Sequence, residues 1–342
     1  MPDIELSAGV IEYEDTGEGP VLLLVHGALM DGGQWRHVVD ELSGSFRCVV
    51  PTLPLGAHRR PMRPEADLSL RGHAALIAEF LEKLDLSEVT LTFNDWCAAQ
   101  LLVADGHTSR VGRMVLVSVE TDDNYPPGLP GRVLALSGRA PGGLMFAAHL
   151  LRIGMLQRLP LTFGRMSNRP IPTEVISKWL APLRAQRLIR RDVRKYVIDT
   201  RRGRADLTAA NARLATFERP VLVAWGADDR VMPLQSGRRL AAAFPRSSFV
   251  EIADSATLVP WDQPAALANA IRDFVESSGA GSAESNAVEP PHPVTAGGAV
   301  RVRQEASTRD ITDFAARWIT HQGSRAVVAT ASRSGIEGGV AT

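Results

Sequence analysis

Cysteine is nearly absent from this chain. Only Cys48 and Cys97 occur in 342 residues, both among apolar neighbours. Two such thiols exclude a disulfide framework and fit a reducing compartment. No Cys/His set has the spacing of a metal site, so no metal is expected, and no cofactor either. Net charge is missing too, since 38 Lys and Arg balance 38 Asp and Glu. That removes the electrostatic case for nucleic acid or an acidic partner. No apolar run approaches membrane-spanning length, and no basic segment leads into an apolar one at the N-terminus. The expectation is a soluble, cytoplasmic protein with no membrane partner.

What is present is a long, well-mixed chain, 45% hydrophobic and 22% charged. It can bury a large core, in one domain with an insertion and a tail. Ile4 to Asp15 alternates as a hairpin does, with Ser7-Ala8-Gly9 as its turn. Pro20 introduces the continuous apolar run Val21 to His26, and such runs suit strands buried on both faces of a parallel sheet. Phe46–Val50, Val89–Phe93, Met114–Val119, Val221–Trp225 and Ser248–Ile252 read the same way. Helical patterns fall between them at Gln34–Leu42, Leu70–Leu84, Cys97–Asp105, Ser236–Phe244 and Pro264–Val275. Strand–helix alternation predicts an α/β fold with a mostly parallel, doubly wound sheet.

The alternation breaks between Thr121 and Glu218. Pro126-Pro127, Pro130-Gly131 and Pro141-Gly142-Gly143 punctuate the entry. Helical stretches follow at Leu144–Ile153, Thr173–Leu183 and the Arg-rich Arg187–Asp199. The reading is a core in two parts, 1–120 and 219–278, with a helical cap over 121–218 inserted between two sheet strands. Residues 279–342 turn to Gly, Ala, Ser and Pro and read as a mostly disordered tail. Within the tail, Ile311, Phe314, Ala315, Trp318 and Ile319 recur at helical spacing and predict an amphipathic helix over 309–321.

One short stretch carries the chemistry. The strand Val89–Phe93 runs into Asn94-Asp95-Trp96 and then a helix. A strand–turn–helix of this kind lifts one side chain above the sheet, at a helix N-terminus where anions are favoured. Local sequence alone also allows Asp95 to be a plain helix N-cap.

Four segments change that balance. They are Val25-His26-Gly27-Ala28, Asn94-Asp95-Trp96, Trp225-Gly226-Ala227-Asp228-Asp229-Arg230-Val231-Met232-Pro233, and Ile252 to Pro264. With them the stretch from Val21 to Val275 resembles the α/β-hydrolase superfamily, in the branch of haloalkane dehalogenases and epoxide hydrolases with an Asp nucleophile. The resemblance implies that Asp95 attacks a substrate carbon and forms an ester with the enzyme. It implies an anion pocket from the Trp96 and Ala28 backbone N–H groups, with the Trp96 indole N–H available to a leaving halide. Asp229 is the implied acid, with Glu120 as the alternative position. Cap tyrosines open the ring in epoxide hydrolases, and Tyr125 and Tyr196 are the only tyrosines in or beside this cap. His26 is expected to brace its loop.

The chain departs from the family at several points. Phe93 and Cys97 stand where the elbow has small residues, and Leu29 stands where a proline follows the His-Gly segment. The largest departure is the general base. Val259-Pro260-Trp261 sets the register, so Ala256-Thr257 occupies the Gly-His positions and Thr257 replaces the histidine. No histidine occurs between Asp229 and the tail. A base contributes about 10²–10⁴-fold, and an ester formed on Asp95 is expected to stall without one. Three accounts stay open: His58 or His149 stands in, a carboxylate pair with Asp229 activates water, or the chain is a pocket protein that binds a small ligand or partner without turnover. The expected function is a hydrolase acting through Asp95 on a small apolar substrate that is haloalkane-, epoxide- or ester-like. A lyase or isomerase on the same fold is the other enzymatic alternative.

Overall fold

The computed structural model describes residues 1–198 and 200–284. The amphipathic helix expected over 309–321 lies outside them. A hairpin opens the chain, β1 (Asp3–Leu6) and β2 (Gly9–Thr16). Next come β3 (Val21–Val25), α1 (Arg36–Leu42), β4 (Arg47–Pro51), α2 (Leu70–Lys83), β5 (Val89–Asp95), α3 (Ala99–Ala104) and β6 (Val111–Val119). Six helices follow before the next strand: α4 (Gly128–Arg139), α5 (Gly143–Leu150), α6 (Gly154–Gln157), α7 (Thr173–Ala185), α8 (Arg187–Val197) and α9 (Thr200–Asn211). The described part ends with β7 (Val221–Gly226), α10 (Leu234–Ala242), β8 (Ser247–Ile252), α11 (Val259–Asp262) and α12 (Pro264–Glu284).

The sheet order is β1-β2-β4-β3-β5-β6-β7-β8. β1–β2 and β2–β4 pair antiparallel, and every other neighbour pair is parallel. The central strands are buried along their length because helices cover both faces. Their alternation splits the core in two. Leu23, Val25, Leu91, Phe93, Leu116 and Trp225 face one side, under α2, α3 and the inserted helices. Leu22, Leu24, Val115, Val117 and Ala224 face the other, against α1 and α12. β5 lies at the centre between β3 and β6, so its C-terminal end opens at the middle of the sheet edge that the inserted helices cover.

The differences from the sequence reading are local. α3 starts at Ala99, two residues after the expected Cys97, because the turn before it is wider. α12 runs on to Glu284, past the boundary expected at 278. α4 carries Pro130 and Gly131, which in sequence have the form of a loop. A proline in the first helical turn loses no hydrogen bond, so the helix tolerates it there. α9 escaped notice because its sequence is polar and contains Gly203. That glycine is a close approach: a Cβ there would lie 2.7 Å from the Tyr125 hydroxyl.

Candidate active site

Asp95 ends β5 with φ of 65°, in the left-handed region. The register with β6 slips between Asn94 and Asp95, so the chain leaves the sheet at that point. Trp96 and Cys97 follow, and Ala98 again takes a positive φ, 66°. Non-glycine residues held in this way cost about 1–3 kcal/mol each and persist only where neighbours fix them. Here Glu120, just past β6, is the fixing group. Its carboxyl accepts the Ala98 N–H at 2.6 Å and the Cys97 N–H at 3.1 Å. The Gln100 side-chain amide donates to the Glu120 carbonyl. Burial pushes the Glu120 carboxyl up to about 8, against the pull of the Cys97 and Ala98 amides. Phe93 and Cys97 are both buried in this turn, and Cys97 Sγ donates to the Asp95 carbonyl at 3.3 Å.

The backbone N–H groups of Trp96 and Ala28 favour the charged form of the Asp95 carboxyl. The residues named for the anion pocket therefore meet at one carboxylate. Gly27 approaches it so closely that a Cβ there would lie 2.2 Å from Asp95 Oδ2. Burial raises the Asp95 carboxyl to about 7. The Trp96 N–H opposes the rise, the nearby Asp229 charge adds to it, and the Ala28 N–H opposes it again.

Asp229 follows β7. Thr257 Oγ1 donates to Asp229 Oδ1 at 2.8 Å. The same oxygen accepts the Val231 and Met232 N–H groups at 2.9 and 2.8 Å. Asp229 Oδ2 is buried without a hydrogen bond. Burial pushes this carboxyl up to about 6, against the Met232 amide, the Thr257 hydroxyl and the Val231 amide. Thr257 thus bonds to Asp229 and not to Glu120, which is taken up by the turn.

The two histidines considered as substitutes are elsewhere. His58 is buried beside Asp192, 3.4 Å away, and accepts the Gly56 N–H at 3.3 Å. His149 is exposed on α5 and pairs with the Met145 carbonyl at 2.8 Å. His26 accepts the Leu53 N–H at 2.9 Å and reaches the Gly27 carbonyl at 2.8 Å, which braces its loop. Burial holds its imidazole neutral, lowered to about 4.

A cavity of about 430 Å³ lies over Asp95. Asp95, Trp96 and Ala28 form its floor, and apolar side chains of the inserted helices, such as Leu134, Phe146, Leu151 and Phe163, form the rest. No histidine lines it. The Trp96 indole N–H is buried with no acceptor. Tyr125 and Tyr196 are not in the lining. They pack against Trp96, with ring centroids at 5.4 and 5.2 Å.

The geometry can be set beside known proteins. The alpha/beta hydrolase fold family matches residues 20–264, most of the chain. This chain belongs to that family. It is similar to haloalkane dehalogenase 2 of Mycobacterium tuberculosis, 29% identical over 271 residues, covering 78% of this chain and 91% of that protein. It is also similar to the cis-3-alkyl-4-alkyloxetan-2-one decarboxylase of Xanthomonas campestris, 25% identical over 300 residues, covering 78% of this chain and 92% of that protein. Among solved structures, haloalkane dehalogenase DbeA from Bradyrhizobium elkani superposes with a TM-score of 0.64 at 17% identity, covering 81% of this chain and 97% of that one. That likeness concerns the fold.

One part of this alpha/beta hydrolase site was not read from sequence. Asn94 sends its amide to the Val117 carbonyl at 2.7 Å and the Thr257 carbonyl at 2.8 Å. Gln34 donates to Asn94 Oδ1 and accepts the Gly27 N–H at 3.4 Å. These buried amides tie the Gly27 loop, the Asp95 turn and the Thr257 loop into one unit. A polar residue inside an otherwise apolar strand end was the available signal.

Proposed function

We propose that this protein is a capped alpha/beta hydrolase whose Asp95 carboxylate attacks a small apolar electrophile, haloalkane-, epoxide- or ester-like. The observation that carries the reading is the placement of Asp95. It stands at the strained end of β5, in the lining of an apolar cavity, beside Trp96 and Ala28, whose amides favour its charged form. Apolar walls exclude water and strengthen the charge interactions of the attack. The unpartnered Trp96 N–H supplies a donor for a leaving halide or alkoxide.

Attack breaks a carbon–halide or carbon–oxygen bond and leaves an ester on Asp95. Release by water then needs a proton acceptor. Asp229 is the carboxylate we assign to this, since its charge acts on Asp95 and it is ionised above about 6. It lacks the imidazole that would relay the proton, so release is the slow step.

A second reading draws on the same lack of a histidine at the cavity. A four-membered cyclic ester, the substrate class in the name of the Xanthomonas relative, can turn over without water. Asp95 opens the ring at its alkyl carbon and frees a carboxylate. That carboxylate departs as CO₂, its electrons form the alkene, and Asp95 leaves as the carboxylate it was. No base is consumed, which matches a cavity with no histidine.

Intact-protein mass spectrometry after incubation with 1,2-dibromoethane, styrene oxide and a cis-dialkyl oxetan-2-one separates these readings. A mass gain mapped to Asp95 with slow halide or diol release supports the hydrolase. Alkene and CO₂ from the oxetanone support the lyase. No adduct and no product, with ligand affinity unchanged in Asp95→Ala, points to a silent binder and sinks both.

A further inference from the structure

The inserted helices carry a surface unlike the rest of the molecule. Among the described residues, ten large apolar side chains are exposed, and eight of them fall between Leu129 and Leu161. Leu136, Phe146, Leu150 and Leu161 belong to the cavity lining and also reach solvent, Leu136 at 66% and Phe146 at 65% exposure. They form the rim of the mouth above Asp95. Ile153 and Met155, close to these in sequence, are exposed as well, Met155 at 72%. A patch of this kind marks an interaction site.

The charge pattern identifies the partner. From Asn124 to Thr173 the sequence contains no Asp or Glu and six arginines: Arg132, Arg139, Arg152, Arg158, Arg165 and Arg169. All six are exposed, and none is in an ion pair among the described residues. Elsewhere acids are interspersed with the arginines and several form ion pairs, as in Arg47–Asp15, Arg59–Glu12, Arg63–Glu5, Arg71–Asp105 and Arg239–Asp123, so it is the long acid-free run that sets this stretch apart. Helical spacing puts Leu129, Arg132, Leu136 and Arg139 on one face of α4. Apolar side chains interleaved with unpaired arginines, without an acid among them, are the composition of a segment that seats in the interface of an anionic bilayer.

We propose that the cap docks on an anionic lipid surface, with the cavity mouth facing the bilayer. The apolar rim enters the headgroup–acyl boundary, and the arginines meet lipid phosphates around it. No helix among the described residues is long and apolar enough to cross a membrane, so the attachment is peripheral. The mouth then draws apolar ligands from the lipid phase. The expectation of no membrane partner rested on a net charge of +0 and the absence of a spanning run, and neither quantity registers a local asymmetry. The docking does not depend on whether Asp95 reacts.

The test is co-sedimentation of the full chain with vesicles of phosphatidylcholine alone and of phosphatidylcholine with one-third phosphatidylglycerol. Binding is expected on the anionic vesicles, reversed by high salt, and weak on the neutral ones. Arg132→Glu/Arg152→Glu/Arg158→Glu is expected to weaken it by about a hundredfold or more, at roughly fivefold per arginine. Met145→Asp/Ile153→Asp/Met155→Asp, at exposed positions outside the cavity lining, is expected to lose it as well. Near-UV circular dichroism checks that both variants keep the fold. The proposal is overturned if the wild type stays in the supernatant, or if the variants sediment with anionic vesicles as the wild type does. It is also overturned if the patch instead drives self-association in velocity sedimentation, abolished by the apolar triple variant, while vesicles are ignored.

Discussion

Thr257 Oγ1 donates to Asp229 Oδ1 at 2.8 Å, the bond that an imidazole N–H would make to the same acid. The hydroxyl keeps Asp229 paired but cannot pass a proton to the far side. On the proposed reading Asp229 is the acid, and Thr257 stands where its proton relay would be. Asn94 fixes this loop from beneath through the Thr257 carbonyl, so the position is held by backbone whichever side chain it bears.

Restoring the relay is therefore a direct experiment. Ala256→Gly/Thr257→His is expected to accelerate release of a preformed ester on Asp95 by about 10²-fold or more, within the usual worth of a general base. Formation of the ester should change little. The check is the decay of the adduct mass after excess electrophile is removed. Equal decay in wild type and variant would show that the base is supplied from elsewhere.

Formation of the adduct has its own pH dependence. Only the ionised carboxylate attacks, and burial raises Asp95 to about 7. The alkylation rate is expected to climb about tenfold per pH unit below 7 and to level off above about 8. Single-turnover rates between pH 5 and 9 measure this. A flat profile down to pH 5 would mean that the carboxyl titrates in the ordinary range and that the cavity is wetter than its walls suggest.

Most of the fold was legible because its signals are periodic and local. The apolar runs Val21–Val25 and Val89–Phe93 have the form of strands buried on both faces, and the four family segments sit at strand ends. The partners of Glu120 were not legible. A lone glutamate after a strand carries no sign that two turn amides 22 and 23 residues earlier will seat it. The fates of His58 and His149 were hidden for the same reason: each is settled by a contact, to Asp192 or to solvent, that only packing creates. The cap surface was obscured differently, since whole-chain charge averages it away.

Three buried carboxyls above their ordinary values, Asp95 about 7, Glu120 about 8 and Asp229 about 6, make stability depend on pH. The folded state holds each proton in a range where the unfolded chain has released it. Stability is then greatest below about pH 4 as far as these groups go, falls as pH rises from there through their folded values, and levels off above them. Asp95→Asn removes one contribution. The loss of stability between pH 5 and 8 is expected to be about 2 kcal/mol smaller in the variant, an order-of-magnitude figure from the size of the shift. Urea unfolding at both pH values tests it, and equal losses in the two proteins would count against a buried, neutral Asp95.

Glu120 is expected to matter through the turn. Glu120→Ala leaves the Cys97 and Ala98 amides without acceptors in a buried place, at about 1–3 kcal/mol. It also frees two residues from the surroundings that keep Ala98 at positive φ. The adduct rate at Asp95 should therefore fall along with the melting temperature. A variant that melts lower yet alkylates at the wild-type rate would show that Asp95 is aimed by Trp96 and Ala28 alone.

Gly27 gives the sharpest steric prediction. Its Cα faces Asp95 with no room for a methyl group, since the added carbon would sit 2.2 Å from Oδ2 and 2.5 Å from Cβ. Gly27→Ala must push the Asp95 side chain away from the Ala28 and Trp96 amides or shift the loop that bears them. Overpacking of this kind costs about 1–3 kcal/mol. The chemical effect should exceed the structural one, because the displaced carboxylate loses its aim while the sheet beneath remains. Adduct formation is expected to drop by about 10²-fold, the usual consequence of a misplacement near 1 Å, with circular dichroism near that of the wild type. Wild-type alkylation in Gly27→Ala would mean that the reactive carboxyl lies elsewhere, and Asp95 would return to being a residue of the turn.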